Sequence, residues 1–451
     1  MSRSNQALAV AATAMLLAAF VGTATNIAIP VLEEEFPEAS LVTISWVVSG
    51  FNVAQVTFML LGGRLADRLG RRKIFLRGLA LFAVGAALSG IAPTIELVIA
   101  TRIAQAVGVS LMLPASLTAV LPEFPPERHG SVVSWWSAMG VFGAAVAPTV
   151  AAGILEVSGW RAVFLSAVPI ALLALIAGRR IMRPGLVAES PAPLDLVGVA
   201  TGTVTVGGLV VAIVQGRIWG WTSPWTLGLI ALTVLAAVVF TRSSLRHPEP
   251  LLDFGLWRLP RFSVTTLAAS AVATSTSATW FLYPLFMTEV WEYSILQIGL
   301  AMTPGPAVLV VLAPFAGKLA DRIGYRVPMI IGASLATLGT AWMAWRLDPG
   351  GTYVVAFLPG TLAIGSGMAL MLGPANAAAL SDVPAHQLSS ANAAYSTARS
   401  ASSALGVALS AAIIGETAAG ERLGAFRTSW WTMVVLMAVG PVLLWWRYPR
   451  R

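Results

Sequence analysis

A chain of 451 residues that is 57% hydrophobic, 11% charged and has a mean hydropathy of +0.80 does not describe a water-soluble protein. At about 20 apolar residues per crossing plus a short loop, the length accommodates about fourteen membrane helices and leaves no room for a sizeable soluble domain. The net charge of +8 does not point to a nucleic-acid ligand, because the basic residues lie in short clusters between apolar runs. With no cysteine, disulfides, thiolate metal sites and cysteine nucleophiles are excluded.

The N-terminus begins basic and turns apolar from about Ala7 to Pro30, which resembles a signal peptide at first sight. It continues into Glu33, Glu34 and Glu35 without a small-residue cleavage site, so a retained first helix is expected. Apolar runs then predict spans near 7–30, 41–62, 74–92, 95–120, 131–155 and 161–178. Two more follow near 195–215 and 225–241, joined by the turn Trp219 to Pro224. A second group of six lies near 262–288, 297–316, 327–346, 353–380, 388–415 and 429–446. The expected fold is therefore all-α and polytopic, with fourteen spans. A six-helix bundle fills 1–183, an inserted two-helix segment 184–260, and a second six-helix bundle 261–451.

Lys and Arg gather on alternate loops, as correctly placed spans require. One side carries Arg64, Arg68, Arg71, Arg72, Lys73, Arg77, Arg179, Arg180, Arg183, Arg242, Arg246, Arg258, Arg261, Lys318, Arg322 and Arg326, with Arg3, Arg128, Arg447, Arg450 and Arg451. The other has only Arg161, Arg217, Arg346, Arg422 and Arg427. The expected location is the cell (plasma or inner) membrane with both termini cytoplasmic. Arg102 and Arg399 remain inside predicted spans, where a guanidinium costs at least about 2.5 to 3.5 kcal/mol unless partners or a cavity receive it.

A repeat is visible on the basic side. Gly63 to Lys73 reads GRLADRLGRRK, and Gly317 to Arg326 reads GKLADRIGYR. Each copy is expected to place a tight glycine turn and a fixed Asp-Arg pair between two helices, at matching places in the two groups. Its gating residues are Gly63, Asp67, Arg68, Gly70 and Arg71, and Gly317, Asp321, Arg322 and Gly324.

On this loop the chain resembles the major facilitator superfamily, and most of all its fourteen-helix drug:proton antiporter branch. The resemblance extends to Asn26 through Pro30, Trp46, Arg102 through Gln105 with Pro114, and Gly159 through Arg161 with Pro169. Pro193 to Gly198 and His247 to Phe254 bracket the inserted pair as in that branch. It implies two six-helix bundles working by alternating access, and for Arg102 a part in coupling and substrate binding. Two departures stand out. The branch carries an aspartate five residues before the first-helix asparagine, where this chain has Val21. Its glycine-rich fifth-helix motif reads here Gly143, Ala147, Pro148, Ala151, Ala152.

Candidate substrate-binding or coupling residues are Thr23 and Asn26 on the first span, Asn52 and Gln55 on the second, Arg102 and Gln105 on the fourth, and Trp136 on the fifth. The second half adds Trp280, Tyr283, Asn376, Asn392, Tyr395 and Arg399. Hydroxyls, amides and aromatic faces without acids suit a lipophilic or amphiphilic ligand. No acid lies mid-span; Glu96, Glu156, Asp195, Glu289 and Glu416 fall near span ends and are expected in wet interfaces. His129, His247 and His386 lack metal-ligand spacing, so no metal site or other cofactor is expected. Without a Gly-x-x-x-x-Gly-Lys loop, nucleotide hydrolysis is not expected either. The reading is a secondary active transporter, not an enzyme: a monomeric exporter of multidrug or amphiphilic small molecules, with lipid and, where coupled, protons as partners. The alternative is an uncoupled facilitator or carrier of lipid-like substrates. A membrane sensor or enzyme is the remote third.

Overall fold

The apolar runs are helices because Ala, Leu, Val and Gly pack their interiors while hydroxyls and glycines mark their ends. Ser2, Ser40, Thr94, Ser223 and Ser294 each accept a hydrogen bond from a first-turn N–H of the helix they open. Gly70 (φ 97°), Gly220 (φ 86°) and Gly324 (φ 81°) close helices in a backbone region that other residues avoid. The computed structural model describes residues 2–183, 195–415 and 422–449, and over these it contains helices and connecting turns. Of the residues singled out above, Pro193, Leu194, Glu416, Arg450 and Arg451 lie outside the described residues.

In chain order the helices are α1 (Arg3–Glu35), α2 (Leu41–Leu69), α3 (Arg71–Ile91), α4 (Ile95–Val120), α5 (His129–Leu165) and α6 (Ala167–Ile181). Next come α7 (Leu196–Trp219) and α8 (Pro224–Arg246). Last are α9 (Pro260–Glu289), α10 (Ile295–Met302), α11 (Pro304–Ile323), α12 (Arg326–Arg346), α13 (Leu358–Leu380), α14 (Leu388–Gly415) and α15 (Arg422–Arg447). Among the described residues twelve helical stretches are long and apolar enough to cross a membrane. One of them, Pro126–Ile181, is 56 residues long and is broken at Gly159, whose φ of 73° and ψ of 179° interrupt the helix. The 30-residue α9 is not among the twelve; Thr and Ser from Thr274 to Thr279 dilute its apolar character. The span predicted at 297–316 is split into α10 and α11, because Thr303 is followed by Pro304, which has no N–H to continue a helix.

The chain forms two compact units. The first comprises Met1–Pro125, Met139–Gly255 and Val383–Thr397, and the second Pro126–Ala138, Leu256–Asp382 and Ala398–Arg451. Within the first, α4 packs on α2 and α3, α1 on α4 and α6, and α3 on α6. Within the second, α13 packs on α11 and α12, α9 on α13 and α15, and α12 on α15. The two patterns correspond helix for helix, so the repeat in sequence is also a repeat in packing. Its contacts are made by small residues, as between helices that gain no hydrophobic driving force from lipid. A Cβ on Gly108 would lie 2.6 Å from Phe82 N, and one on Gly367 would lie 2.4 Å from Gly332 O. The pair α7 and α8 pack on each other and, through α7, on α2.

Aromatic side chains fill one end of the second unit. Phe286 meets Trp430 at 5.0 Å, and Phe426 and Trp291 at 5.4 Å, all edge-on as ring quadrupoles favour. Replacing Phe286 by Ala empties the centre of this cluster and is expected to cost about 3 to 5 kcal/mol, mainly as lost packing. The check is a lower thermal midpoint of the purified protein in detergent, with Phe286→Leu recovering most of the loss.

Candidate functional site

The two copies of the repeat each hold a carboxylate against the first turn of a distant helix. A helix start presents N–H groups with no partner of their own and the positive end of the macrodipole, so it receives an anion. Asp67, near the end of α2, is buried and accepts from Ser389 N at 3.0 Å, Ser390 N at 2.7 Å and Ser390 Oγ at 2.8 Å, at the start of α14. Arg71 adds Nη2 at 3.1 Å and Nε at 3.3 Å to the same carboxylate, and also donates to the carbonyls of Thr118 and Ala385. The hydroxyls of Thr118 and Ser389 lie 2.6 Å apart beside it. In the second unit Asp321 accepts from Gly130 N at 2.7 Å, from Ser131 N at 3.0 Å and from the Ser131 hydroxyl, at the start of α5.

The tight glycine turn expected in each copy is made by Gly70 and Gly324, not by Gly63 and Gly317. The latter two lie inside helices, α2 and α11. Their lack of a side chain permits close approach instead. A Cβ on Gly63 would sit 2.5 Å from Ser389 O, and one on Gly317 would sit 2.7 Å from Ser131 Cα. Where the first copy has Arg71, the second has Tyr325. Burial and the facing Asp321 push its phenol up to about 12, against a smaller opposing effect of Arg261. Tyr325 is therefore neutral near pH 7, and among the described residues Asp321 has no counterpart of the Asp67–Arg71 ion pair. Arg68 and Arg322 make no ion pair among the described residues.

A cleft of about 350 Å³ opens among α1, α2, α4 and α5 of the first unit, lined by Met15, Ala18, Ala19, Gly22, Thr23, Asn52, Gln55, Leu113 and Ala144. It brings together three of the expected residues, Thr23, Asn52 and Gln55. Asn26 lies nearby in sequence, but its amide donates to the carbonyls of Gly22 and Thr23 on its own helix. Pro148 and the altered fifth-helix motif lie beyond this cleft, while Gly143 allows α5 to approach Leu16 O.

Arg102 does not line the cleft. It is fully buried, with Nη1 donating to Gln105 Oε1 at 2.6 Å and Nε to Val47 O at 3.3 Å. Its guanidinium carbon lies 4.0 Å from the Phe51 ring centre and 5.6 Å from that of Phe164. Arg102 Nη2 and Gln105 Nε2 have no hydrogen-bond partner among the described residues. The cation is thus held by two aromatic faces, a carbonyl and an amide, without a carboxylate. The rings are the part that sequence reasoning missed, since nothing local connects Phe51 or Phe164 with Arg102.

The remaining candidates differ in burial. Tyr283 is buried in the aromatic cluster, its ring 4.9 Å from Phe357 and its hydroxyl 3.2 Å from the sulfur of Met343. Trp280 is exposed, Trp136, Asn376, Asn392 and Tyr395 are buried, and Arg399 is half-buried. Neither amide atom of Asn392 has a hydrogen-bond partner among the described residues. Asp195, expected in a wet interface, is buried at the start of α7, where it accepts from Gly198 N at 2.7 Å and from Ser243 Oγ at 2.8 Å. Glu289 pairs with Arg422 at 3.2 Å, and Glu96 and Glu156 are exposed.

Long apolar helices in two similarly packed groups, with a duplicated carboxylate-to-helix contact, define a multi-pass membrane protein of the transporter class. The chain belongs to the Major Facilitator Superfamily, whose sequence model matches residues 11–407 and 265–451. It is 30% identical over 395 residues to the uncharacterized MFS-type transporter YhcA of Bacillus subtilis (strain 168), covering 88% of this chain and 74% of that protein. It is 28% identical over 432 residues to the tetracenomycin C resistance and export protein of Streptomyces glaucescens, covering 95% and 78%. Its fold matches the crystal structure of the human organic anion transporter MFSD10 with a TM-score of 0.73 at 16% identity, over 98% of this chain and 100% of that one. Relatives named for resistance and export agree with the resemblance to the drug:proton antiporter branch.

Replacing Asp67 by Asn keeps the shape but removes the charge that Arg71 and the α14 helix end receive. It leaves the guanidinium buried without its counter-ion, which is expected to cost about 3 kcal/mol of the arrangement seen here. Gly63→Leu should disrupt the same contact by volume. Both are expected to leave the protein in the membrane and to slow transport, with equilibrium substrate affinity nearly unchanged. Full-rate transport by either variant in vesicles would remove this contact from the mechanism.

Proposed function

We propose that the chain is a secondary transporter that exports lipophilic or amphiphilic small molecules by alternating access between bundles at 1–183 and 261–451. The observation that carries this reading is the duplicated contact of Asp67 with α14 and of Asp321 with α5. Each joins a helix of one proposed bundle to a helix of the other through hydrogen bonds, which form and break without covalent chemistry, as a reversible gate requires. The export direction draws its support from relatives named for resistance and export.

The proposed topology has fourteen crossings, with both termini in the cytoplasm. The break at Gly159 supports counting Pro126–Ile181 as two crossings, and the length of α9 supports one more. The distribution of Lys and Arg supports the sidedness. The inserted α7 and α8 are peripheral to the substrate path, and the transporter works as a monomer.

Substrate enters the cleft formed by Thr23, Asn52 and Gln55, whose volume is in the range of small-molecule sites. Alanines, Met15 and Leu113 offer apolar contact, and two amides and a hydroxyl orient the polar end. Arg102 and Gln105 act by fixing α2 against α4 rather than by touching substrate. Replacing Asn52 or Gln55 by Ala is expected to raise KM about three- to ten-fold, the worth of one hydrogen bond, with a smaller effect on the maximal rate. Concentration-dependent uptake into inverted vesicles measures this.

Coupling to protons is the open choice between antiport and facilitation, and one observation favours facilitation. No carboxylate lines the cleft, and the position used for one in the branch is Val21, buried in α1. Flux in proteoliposomes should therefore vary little between about pH 5 and 8, the range reached by a buried carboxylate whose pKa burial has raised. Val21→Asp should add a pH dependence, because protonation at low pH removes a buried charge that deprotonation restores. Collapsing the proton gradient with an ionophore is expected to leave the flux of the unmodified protein unchanged. Loss of concentrative transport on collapse would establish antiport instead.

A further inference from the structure

Aligning the two copies of the repeat pairs Arg64 with Lys318, Asp67 with Asp321, and Arg68 with Arg322. The cation beside the glycine has different surroundings in each copy. In the first, Arg64 Nη2 donates to Glu249 Oε2 at 2.8 Å, and both side chains are largely shielded from solvent. Glu249 comes from the segment that follows α8, so the inserted pair brings this first cation its counter-ion. In the second copy no described residue does the same. Lys318 and Arg322 are exposed and make no hydrogen bond or ion pair among the described residues.

These two cations do not stand on an open surface. With Arg128, Glu127, Ser131, Trp135, Pro314 and Asp321 they line a cleft of about 400 Å³ within the second unit. Of its two carboxylates, Asp321 is already engaged through both oxygens by the first turn of α5, which leaves Glu127 as the opposing charge. One edge is apolar: Trp135 is 46% exposed, and Phe315, three residues before Lys318 on the same face of α11, is 63% exposed. Cations at the end of a membrane helix, next to an exposed indole and phenyl ring, match the level at which lipid headgroups meet acyl chains.

We propose that this cleft binds the phosphate headgroup of an anionic glycerophospholipid, with Lys318 and Arg322 taking the position towards the phosphate that Glu249 takes towards Arg64 in reverse sign. Trp135 and Phe315 contact the glycerol and upper acyl chain. Free phosphate shares the charge but gains nothing from the aromatic edge. The inference needs only that the chain spans a membrane and is independent of the export reading.

The test is native mass spectrometry of the full chain in detergent, titrated with phosphatidylglycerol, phosphatidylcholine or inorganic phosphate. Phosphatidylglycerol is expected to bind more tightly than phosphatidylcholine and to resist millimolar phosphate. The double variant Lys318→Gln, Arg322→Gln should weaken it about five-fold per cation removed. Glu127→Gln should tighten it, a gain that a misfolded protein cannot give. Equal binding of the two lipids, an unchanged affinity in the double variant, or no gain in Glu127→Gln would overturn the proposal. Displacement of the lipid by inorganic phosphate would make the cleft a free-anion site and overturn the lipid assignment.

Discussion

A carboxylate removed from water needs donors to replace it, and a helix start is one of the few places that offers several at once. Asp67 takes up this offer with two backbone N–H groups and a hydroxyl from α14, and Arg71 supplies the remaining donors. Much of the local structure follows from this one requirement. Position 63 must lack a Cβ for α14 to come close enough, Gly70 must turn the chain so that Arg71 folds back, and Ser390 must present both its N–H and its hydroxyl. Asp321 imposes the same conditions on Gly317, Gly324 and Ser131.

Arg102 solves the opposite problem with different means. A buried guanidinium without a carboxylate gains from the faces of Phe51 and Phe164, the carbonyl of Val47 and the amide oxygen of Gln105. These partners come from α2, α4 and the α5 segment after the Gly159 break, so the cation ties three helices of the first unit together. Its charge cannot be removed by protonation equilibria near pH 7, since guanidinium stays protonated there. A residue of this kind fixes helices in place and does not by itself carry protons. Asn52 and Gln55, in contrast, line the cleft, and Arg102 does not.

Hydropathy and charge alone were enough to locate the helices, because lipid forces each crossing to be long, apolar and flanked by cations. They were not enough where a helix departs from that rule. The break between Met302 and Pro304 lies inside an apolar run, where hydropathy alone shows no interruption and only Pro304 marks one. Each copy of the repeat holds two glycines, and only the neighbouring helix tells which one turns the chain and which one permits close approach. Arg71 and Gln105 lie within one helical turn of Asp67 and Arg102, but Ser389 and Ser390, Glu249, and Phe51 and Phe164 are tens to hundreds of residues from Asp67, Arg64 and Arg102, and a single sequence carries no sign of such pairings. Asp195 shows the same gap: its position near a predicted span end suggested water, but the hydroxyl of Ser243 reaches it from the next helix.

Both copies give the carboxylate two backbone N–H groups and a serine hydroxyl, and they differ in the side chain that faces it, Arg71 in one and Tyr325 in the other. Asp67 is buried with Arg71, so parting it from α14 leaves an ion pair in a medium that screens charge poorly. Asp321 is only half-buried and faces a neutral tyrosine, so water can replace the bonds to Gly130 and Ser131 as they break. The cations are arranged in the reverse order of need. Arg64 is neutralised by Glu249, whereas Lys318 and Arg322 are exposed along a cleft and have no ion pair among the described residues. The first copy thus has two ion pairs, Asp67–Arg71 and Arg64–Glu249, and the second has none among the described residues. Ionic strength is therefore expected to act more strongly on the exposed charges around Asp321 than on the buried pair at Asp67.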